Sequence, residues 1–284
     1  MKKNSVIKEG AKGVLTGASM LVPGISGGTM ALIFGFYDKL INAAAGIFKS
    51  FKKNFLTILF YMLTVAVGFV AFSWPMSFLM ENVGFIMYCF FVGTLIGSMA
   101  LLKKKAGITS LKWTDAIAFA AGIVILLLIT LIPEDFIAYS SDGGFFGNLP
   151  LYIISGILIA VALILPGISL SHILLVLGLY ELILEWIKKL DILSLLPFGI
   201  FGVLFVFAMI KVLEYALNKQ SRITYTVISG FVLFSAIDIA RQNILPFIMS
   251  PSATSGYIVN IVVGVVVFAL GAFLTAFIAK KSKN

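Results

Sequence analysis

Charged residues, cysteine and histidine are all scarce in this sequence. Only 12% of its 284 residues are charged, whereas a soluble domain carries about a quarter. The single cysteine, Cys89, excludes an internal disulfide and a Cys-based metal site. Because His172 is the only histidine as well, we expect no metal ion and no other cofactor.

Hydrophobic residues make up 61% of the chain, and the mean hydropathy is +1.11. This composition predicts an all-α polytopic membrane protein, because no water-soluble fold can bury so much apolar surface. The net charge of +9 then indicates orientation in the lipid bilayer and not binding to nucleic acid. Six apolar segments are predicted to span the membrane: residues 55–74, 85–102, 114–132, 194–213, 223–239 and 257–279.

The sequence contains an internal repeat with an offset of 143 residues. Residues 13–41 align without gaps on residues 156–184, with nine identities in 29 positions. Both copies contain Pro-Gly-Ile-Ser, at residues 23–26 and 166–169, and then Gly-x-Tyr followed by an acidic residue. Since the offset is almost half the chain length, we interpret the protein as two copies of one duplicated unit.

The distribution of lysine and arginine predicts how the two Pro-Gly-Ile-Ser segments enter the membrane. If both are re-entrant hairpins, 18 of the 21 basic residues lie on the cytoplasmic side. If both span fully, 10 lie inside and 11 outside. The positive-inside rule therefore favours hairpins, with the N and C termini in the cytoplasm.

Each half then consists of one re-entrant helical hairpin and three transmembrane helices, and this odd number of crossings inverts the second half relative to the first. Within a single integral membrane domain, repeat 1 is predicted over about 10–132, an acidic outer linker over about 133–148 and repeat 2 over about 149–279. Inverted-topology repeats with broken helices are typical of transporters, whose binding site lies at the repeat interface.

The first hairpin tip has the residues of an anion site. A turn at Pro23 and Gly24 ends one short helix, and a second helix is expected to restart near Ser26. Free N–H groups at such a restart, with hydroxyl groups beside them, form a cradle for a phosphate. The candidate ligands in this cradle are Ser26, Gly27, Gly28 and Thr29.

The second hairpin repeats this arrangement, with a turn at Pro166 and Gly167. Its candidate phosphate ligands are Ser169, Ser171 and His172. Two such cradles that face each other across a pseudo-twofold axis would suit a phosphate group. The alternative is that Pro-Gly-Ile-Ser only caps two broken helices, but its repetition at the same offset favours a binding site.

These residues resemble the motifs of bacterial polyprenyl-phosphate translocases, a family long described as a domain of unknown function, and the resemblance covers essentially the whole chain. The first motif is matched by Gly13, Gly17, Pro23, Gly24, Ser26, Gly27, Gly28, Thr29, Gly35, Tyr37 and Asp38. The second is matched by Pro166, Gly167, Ser169, Ser171, Gly178, Tyr180 and Glu181. Leu170 stands where the family motif has glycine, and His172 replaces an apolar or aromatic residue, which implies a less open second cradle.

The resemblance implies a transporter, a flippase, and not an enzyme. Its cargo would be undecaprenyl phosphate, moved from the outer to the cytoplasmic leaflet of the bacterial plasma membrane for recycling in cell-wall polymer synthesis. Such a transporter needs a protein path only for the charged head group, because the apolar tail can stay in lipid throughout.

Three titratable residues near the tips are candidates for coupling transport to a proton or a sodium ion. The unperturbed side chain of His172 titrates near neutral pH; it would carry a proton, donate to the head group or only hydrogen-bond to backbone in a water-filled vestibule. Asp38 and Glu181 follow Gly-x-Tyr in the two copies. They would either carry a coupling ion or fix the base of each hairpin.

Two other functions compete with lipid transport. Undecaprenyl-pyrophosphate phosphatases have similar hairpins, with an arginine after the serine that stabilises charge in phosphoryl transfer. Here Gly27 or Leu170 follows the serine, and no arginine occurs before Arg222. A transporter of small soluble anions is the second alternative, and a closed hydrophilic vestibule would distinguish it from a groove open to lipid.

Overall fold

The computed structural model describes residues 3–22, 25–132, 144–168, 170–250 and 256–281. The regular secondary structure in these ranges is entirely helical, which confirms the predicted all-α class. The helices are α1 Lys3–Ser19, α2 Gly27–Ile33, α3 Tyr37–Ala45, α4 Phe51–Lys105, α5 Trp113–Thr130, α6 Gly144–Gly147, α7 Leu149–Ile164, α8 Leu170–Val176, α9 Tyr180–Lys188, α10 Ile192–Lys219, α11 Ser221–Ile239, α12 Leu245–Met249 and α13 Tyr257–Lys281.

Among the described helices, five continuous helical segments are long and apolar enough to cross a membrane. They are Phe51–Lys105, Trp113–Thr130, Ile192–Lys219, Ser221–Met249 and Tyr257–Lys280, and a π-helical turn joins α11 to α12 within the fourth. All six predicted spans lie within these five segments to within two residues. The prediction of a polytopic membrane protein is therefore confirmed.

The two spans predicted at residues 55–74 and 85–102 belong to one helix, which differs from the three separate transmembrane helices expected for the first half. Helix α4 has 55 residues, about 80 Å at 1.5 Å per residue, whereas the hydrocarbon core is about 30 Å thick. Met76, Leu79 and Met80 between the spans are good helix formers, and the helix also continues through Pro75. Only Val83 leaves the helical conformation, with φ −137° and ψ 33°, so a kink separates the two spans.

The sequence repeat is visible in the short helices. Helices α2 and α8 begin and end 143 residues apart, and so do α3 and α9. In both copies the turn between the two short helices contains a glycine with positive φ, +77° at Gly35 and +62° at Gly178. Only glycine adopts this conformation without strain. The Gly-x-Tyr sequence therefore forms the same turn in both halves.

Close contacts at glycine join the long helices. A Cβ atom on Gly93 of α4 would lie 2.1 Å from the carbonyl oxygen of Phe268 in α13, and one on Gly97 would lie 2.3 Å from that of Ala272. Side chains larger than hydrogen would push these backbones apart. Gly93 and Gly97 thus form the small-residue packing step that their spacing indicates.

The last long helix of each half packs against the other half. Helix α5 contacts α11, where a Cβ atom on Gly122 would lie 3.1 Å from the Cα atom of Gly230, and α13 contacts α4. The helix that precedes each Pro-Gly-Ile-Ser turn packs within its own half, α1 on α4 and α7 on α10. The two halves consequently share one helical core.

Large apolar side chains cover the outside of the long helices. Val70 in α4, Leu128 in α5, Leu204 in α10 and Val265 in α13 are all more than half exposed. Contiguous apolar surface of this kind is unfavourable in water, and it suits the hydrocarbon of a bilayer.

Candidate phosphate site at the hairpin tips

Ser26 belongs to the first Pro-Gly-Ile-Ser segment, the predicted first tip. It caps the N-terminus of α2, where its Oγ accepts a hydrogen bond from the backbone N–H of Thr29 at 3.2 Å. The two hydroxyl groups also hydrogen-bond to each other, with 2.8 Å between Ser26 Oγ and Thr29 Oγ1. Serine is a preferred N-cap residue, and the predicted restart of a helix at this point is confirmed.

The second tip contacts the same oxygen atom. The backbone N–H of Gly167 donates to Ser26 Oγ at 3.2 Å, and the Gly167 carbonyl accepts from Ser235 Oγ of α11 at 2.5 Å. Gly167 has φ +95°, which favours glycine, and a Cβ atom there would lie 2.9 Å from the Phe231 carbonyl oxygen. The second turn is therefore held against α11 with its N–H directed at the first tip.

The two backbones also touch at the tips. A Cβ atom on Gly28 would lie 3.6 Å from both the N and the Cα atom of Pro166. Helix α2 contacts α7 as well, the helix that leads into the second turn. The described parts of the two Pro-Gly-Ile-Ser turns thus meet, although 143 residues separate them in the sequence.

A cavity of about 490 Å³ begins at this contact. Ser26, Gly27 and Gly28 form one part of its wall, and Ile168 and Leu170 form another. Most of the remaining wall is apolar and comes from Met20, which follows α1, and from α3, α4, α7 and α10, including Leu40, Met62, Val65, Leu163 and Ile210. Met20, Met62 and Leu163 in this wall are large and exposed, so the accessible part of the wall is largely apolar.

Part of the predicted site lies outside the described residues. These positions are Pro23, Gly24, Ser169 and the side chains of Ser171 and His172. The described part of the second cradle is its turn, Pro166 and Gly167, together with Leu170, whose position in the repeat corresponds to Gly27. Among the candidate ligands of the first tip, Thr29 is buried and hydrogen-bonds to Ser26.

The acidic residues that follow Gly-x-Tyr have different surroundings in the two halves. Asp38, in the first turn of α3, forms an ion pair with Lys105 of α4 and accepts a hydrogen bond from the Tyr225 hydroxyl of α11 at 2.6 Å. Glu181, in the first turn of α9, is exposed. Equivalent positions in the repeat therefore do not have equivalent contacts.

Tyr37 connects the two halves, a contact that sequence reasoning missed. Its buried hydroxyl donates to the carbonyl oxygen of Ile164 at 2.6 Å, at the end of α7 and just before the second turn. Burial, with the charge of Asp38 beside it, raises the pKa of this phenol, so it remains a neutral donor. The repeated Gly-x-Tyr motif identifies Tyr37 in the sequence, but the motif does not indicate its partner 127 residues away.

The described donors at the tips are backbone N–H groups and hydroxyl groups. In the parts of the chain that the structure describes, no group of three or more His, Cys, Asp or Glu side chains is placed to hold a metal ion. The arrangement offers neutral hydrogen-bond donors to an oxygen-rich anion, next to an apolar cavity.

Three findings relate the chain to known proteins. The sequence profile of the undecaprenyl phosphate translocase-like family matches residues 16–250. The polyprenyl-phosphate transporter of Vibrio cholerae is 30% identical over 242 residues, which cover 78% of this chain and 73% of that protein. The polyprenyl-phosphate transporter of Staphylococcus aureus is 32% identical over 268 residues, which cover 89% of this chain and 94% of that protein. No solved structure is significantly similar to this chain.

Proposed function

This chain belongs to the undecaprenyl phosphate translocase-like family, and we propose that it transports polyprenyl phosphate, as the names of its relatives suggest. The lipid is undecaprenyl phosphate, carried from the outer to the cytoplasmic leaflet of the bacterial plasma membrane for re-use in cell-wall polymer synthesis. Only the phosphate head needs a path through the protein, since the tail remains in hydrocarbon.

The observation that carries this proposal is the convergence of two backbone N–H groups on one oxygen atom. Thr29 of the first hairpin and Gly167 of the second both donate to Ser26 Oγ, each at 3.2 Å. A phosphate oxygen is a stronger acceptor than a hydroxyl. A phosphate that enters between the tips would accept the hydrogen bonds from both N–H groups in place of Ser26 Oγ. The Ser26 hydroxyl could then donate to the phosphate as well.

We assign the other predicted ligands to the same site: Gly27, Gly28, Ser169, Ser171 and His172. The N–H groups of Gly27 and Gly28 belong to the first turn of α2, where no intrahelical acceptor is available. On the second tip, the side chain of Leu170 lines the cavity and leaves less room than a glycine would. The first tip is therefore the larger contributor to phosphate binding.

The apolar cavity supports a lipid cargo over a small soluble anion. Beyond the polar tip contact its wall is mostly apolar, and Met20, Met62 and Leu163 contribute exposed apolar side chains to it. A soluble anion would need a hydrated, polar path. A phosphate on a polyprenyl chain places its head at the tips and its first isoprene units against the apolar wall.

The lengths of the short helices support re-entrant hairpins. Helices α2 and α8 have seven residues each, about 10 Å, and cannot cross a hydrocarbon core of about 30 Å. The tips then lie inside the membrane, and each chain segment returns to the side that it entered. With both termini in the cytoplasm, the second half is inverted relative to the first, in line with the exchanged packing of α5 and α13.

The proposed domain organisation follows the repeat. Repeat 1 covers about 10–132 and repeat 2 about 149–279, joined by a linker over about 133–148 on the outer side. The structure describes only the end of this linker, where α6 forms at Gly144–Gly147. Rocking of one repeat against the other would open the tip contact to one leaflet and then to the other.

Among the candidates for ion coupling, Asp38 fixes the base of the first hairpin. Its carboxylate is held by Lys105 and Tyr225, on α4 and α11, and a carboxylate with two fixed partners is poorly suited to bind and release an ion. Glu181 is exposed on α9 and, with His172, remains the candidate for a coupling proton or sodium ion.

The positions of the two arginines support transport and not hydrolysis. Arg222 forms a bidentate ion pair with buried Asp115, with distances of 2.6 and 2.8 Å, and Arg241 pairs with Asp238 at 3.1 Å. Neither lines the cavity at the tips. The arginine that phosphoryl transfer needs at the hairpin has no counterpart among the described residues of this site.

Reconstitution into vesicles tests the proposed function. Purified protein is placed in liposomes with fluorescent polyprenyl phosphate or polyprenyl pyrophosphate, and both leaflet exposure of the lipid and release of free phosphate are followed. We expect the monophosphate to change leaflets without phosphate release. Phosphate released from the pyrophosphate would favour a hydrolase, and uptake of a soluble anion without lipid movement would favour the second alternative.

A further inference from the structure

Four polar side chains form a cluster beside the cavity, and we call it the Glu9 cluster: Glu9 and Lys12 of α1, Lys39 of α3 and Tyr61 of α4. The Glu9 carboxylate lies 2.6 Å from Lys12 Nζ and 3.5 Å from Lys39 Nζ, and it accepts a hydrogen bond from the Tyr61 hydroxyl. Lys39 Nζ also donates to the Tyr61 oxygen at 3.2 Å. The Glu9 carboxylate thus forms ion pairs with two ammonium groups.

The Glu9 cluster carries a net positive charge. Partial burial raises the pKa of Glu9, but hydrogen bonds from Lys12 and Tyr61 and the charges of both lysines outweigh this effect and keep the pKa below its ordinary value. The Glu9 side chain is 18% exposed, whereas those of Lys12 and Lys39 are 34% and 48% exposed. One ammonium group would be enough to balance the charge of the Glu9 carboxylate. Because two ammonium groups pair with it, one positive charge of the cluster is left unbalanced.

Tyr61 connects the Glu9 cluster to the cavity. The tyrosine is 1% exposed, lines the cavity and stacks on Phe36 with ring centroids 4.4 Å apart. Lys39 Nζ lies 5.2 Å from the centroid of the same ring. No charged side chain is among the described residues that line the cavity, which has Ser26 in its wall at the tips. The Glu9 cluster therefore places ammonium groups next to the cavity, on the far side of Tyr61, while the described lining itself is uncharged.

We propose that Lys12 and Lys39 form a second phosphate site, which receives the head group of the lipid when it leaves the hairpin tips. This inference rests on the proposed function and adds an exit site on the side that the proposed topology makes cytoplasmic. Ammonium groups form charge-assisted hydrogen bonds to phosphate oxygens. Glu9 competes with the phosphate for both lysines, which keeps binding weak enough for release.

The test measures binding of farnesyl phosphate to the full chain in detergent, with Ser26→Ala as the background so that the tip site is weakened. Replacing both lysines, K12Q with K39Q, should weaken binding about tenfold or more, because charge-assisted hydrogen bonds are lost. Glu9→Gln should have the opposite effect and tighten binding several-fold, since it removes the competing carboxylate. A misfolded variant would not bind more tightly, so the opposite signs separate the site from damage to the fold.

Lys52→Gln with Lys53→Gln is the matched control, because these exposed lysines at the start of α4 give the same loss of charge and have no contact with Glu9 or Tyr61 among the described ion pairs and hydrogen bonds. Uncharged farnesol should bind equally to all variants. Equal binding of farnesyl phosphate to the K12Q/K39Q and control proteins would overturn the proposal, as would a matching loss of farnesol binding. Inorganic phosphate that binds as tightly as farnesyl phosphate would assign the site to free phosphate and overturn its role in lipid exit.

This titration and the vesicle assay can fail independently. If unsubstituted protein moves no polyprenyl phosphate between leaflets, the proposed function fails, whatever the titration shows. If the unsubstituted protein moves the lipid and the lysine variants bind farnesyl phosphate normally, only the exit site is wrong.

Discussion

The hydroxyl oxygen of Ser26 lies 3.2 Å from the backbone nitrogen of Gly167, which donates to it across the contact between the two halves. The two residues are not repeat counterparts, since Ser26 aligns with Ser169 and Gly167 aligns with Gly24. The serine that caps α2 is thus also an acceptor for the turn at Gly167 in the other half. A group placed here touches both halves, as a transporter's substrate must when one half moves against the other.

The bond from Tyr37 to Ile164 predicts that Tyr37→Phe destabilises the protein. The substitution removes the hydroxyl and leaves a buried carbonyl without its donor, which should cost about 1–3 kcal/mol. The matched control is Tyr180→Phe, because Tyr180 is the repeat counterpart and is only half-buried. Denaturant unfolding in detergent should show a clear loss of stability for Y37F and a smaller loss for Y180F. Equal losses of stability would contradict a special role for Tyr37.

Asp38→Asn tests whether Asp38 fixes the hairpin base or carries a coupling ion. The asparagine keeps an acceptor for Tyr225 but loses the ion pair with Lys105. The free energy of unfolding should therefore fall by about 1 kcal/mol. The pH dependence of lipid transport should keep its shape. A flattened pH profile in D38N would instead identify this carboxylate as a proton carrier.

Glu181→Gln is the counterpart experiment in the second half. Because Glu181 is exposed, stability should change by less than about 0.5 kcal/mol. If Glu181 is the coupling residue, the E181Q protein should lose the dependence of transport on pH or sodium while remaining folded. A profile identical to that of the unsubstituted protein would remove Glu181 from the coupling candidates and leave His172.

The contact between α4 and α13 predicts a strong effect of added bulk at Gly93. Alanine there would bring a Cβ atom within 2.1 Å of the Phe268 carbonyl oxygen, and relief of the clash should cost about 1–3 kcal/mol. Gly199 of α10 is the control, since no atom of the described residues lies within 4 Å of a Cβ atom at that position. Thermal unfolding should be lowered by G93A and unchanged or raised by G199A; no difference between the two would argue against this packing.

The repeat made the local geometry of the hairpins predictable. Identical residues at a fixed offset predict identical backbone, and the turns at Gly35 and Gly178 have the same left-handed glycine and the same helix boundaries on either side. Ser26 was also predictable as a helix start, because N-capping is local: the side chain accepts a hydrogen bond from a backbone N–H two or three residues later. Apolar length likewise located the spanning segments, although it did not reveal that α4 continues through Val83 with only a kink.

Contacts between distant residues were not predictable from one sequence. Tyr37 and Ile164, or Arg222 and Asp115, are more than 100 residues apart, and nothing in a single chain specifies which donor meets which acceptor. The same holds for Glu9, which sequence reasoning passed over because one acidic residue in a basic segment gives no pattern. These partners depend on how the helices pack, and packing is a property of the whole fold.

The most direct test of the site is transport by the Ser26→Ala protein in vesicles containing fluorescent polyprenyl phosphate. Ser229→Ala is the matched control, because among the described residues Ser229 Oγ bonds only to the Tyr225 carbonyl within its own helix. We predict that S26A lowers the initial rate of leaflet exchange about tenfold or more, that adding S169A abolishes it, and that S229A leaves it unchanged. Unaltered transport by folded S26A/S169A protein would contradict the assignment of the phosphate to the hairpin tips.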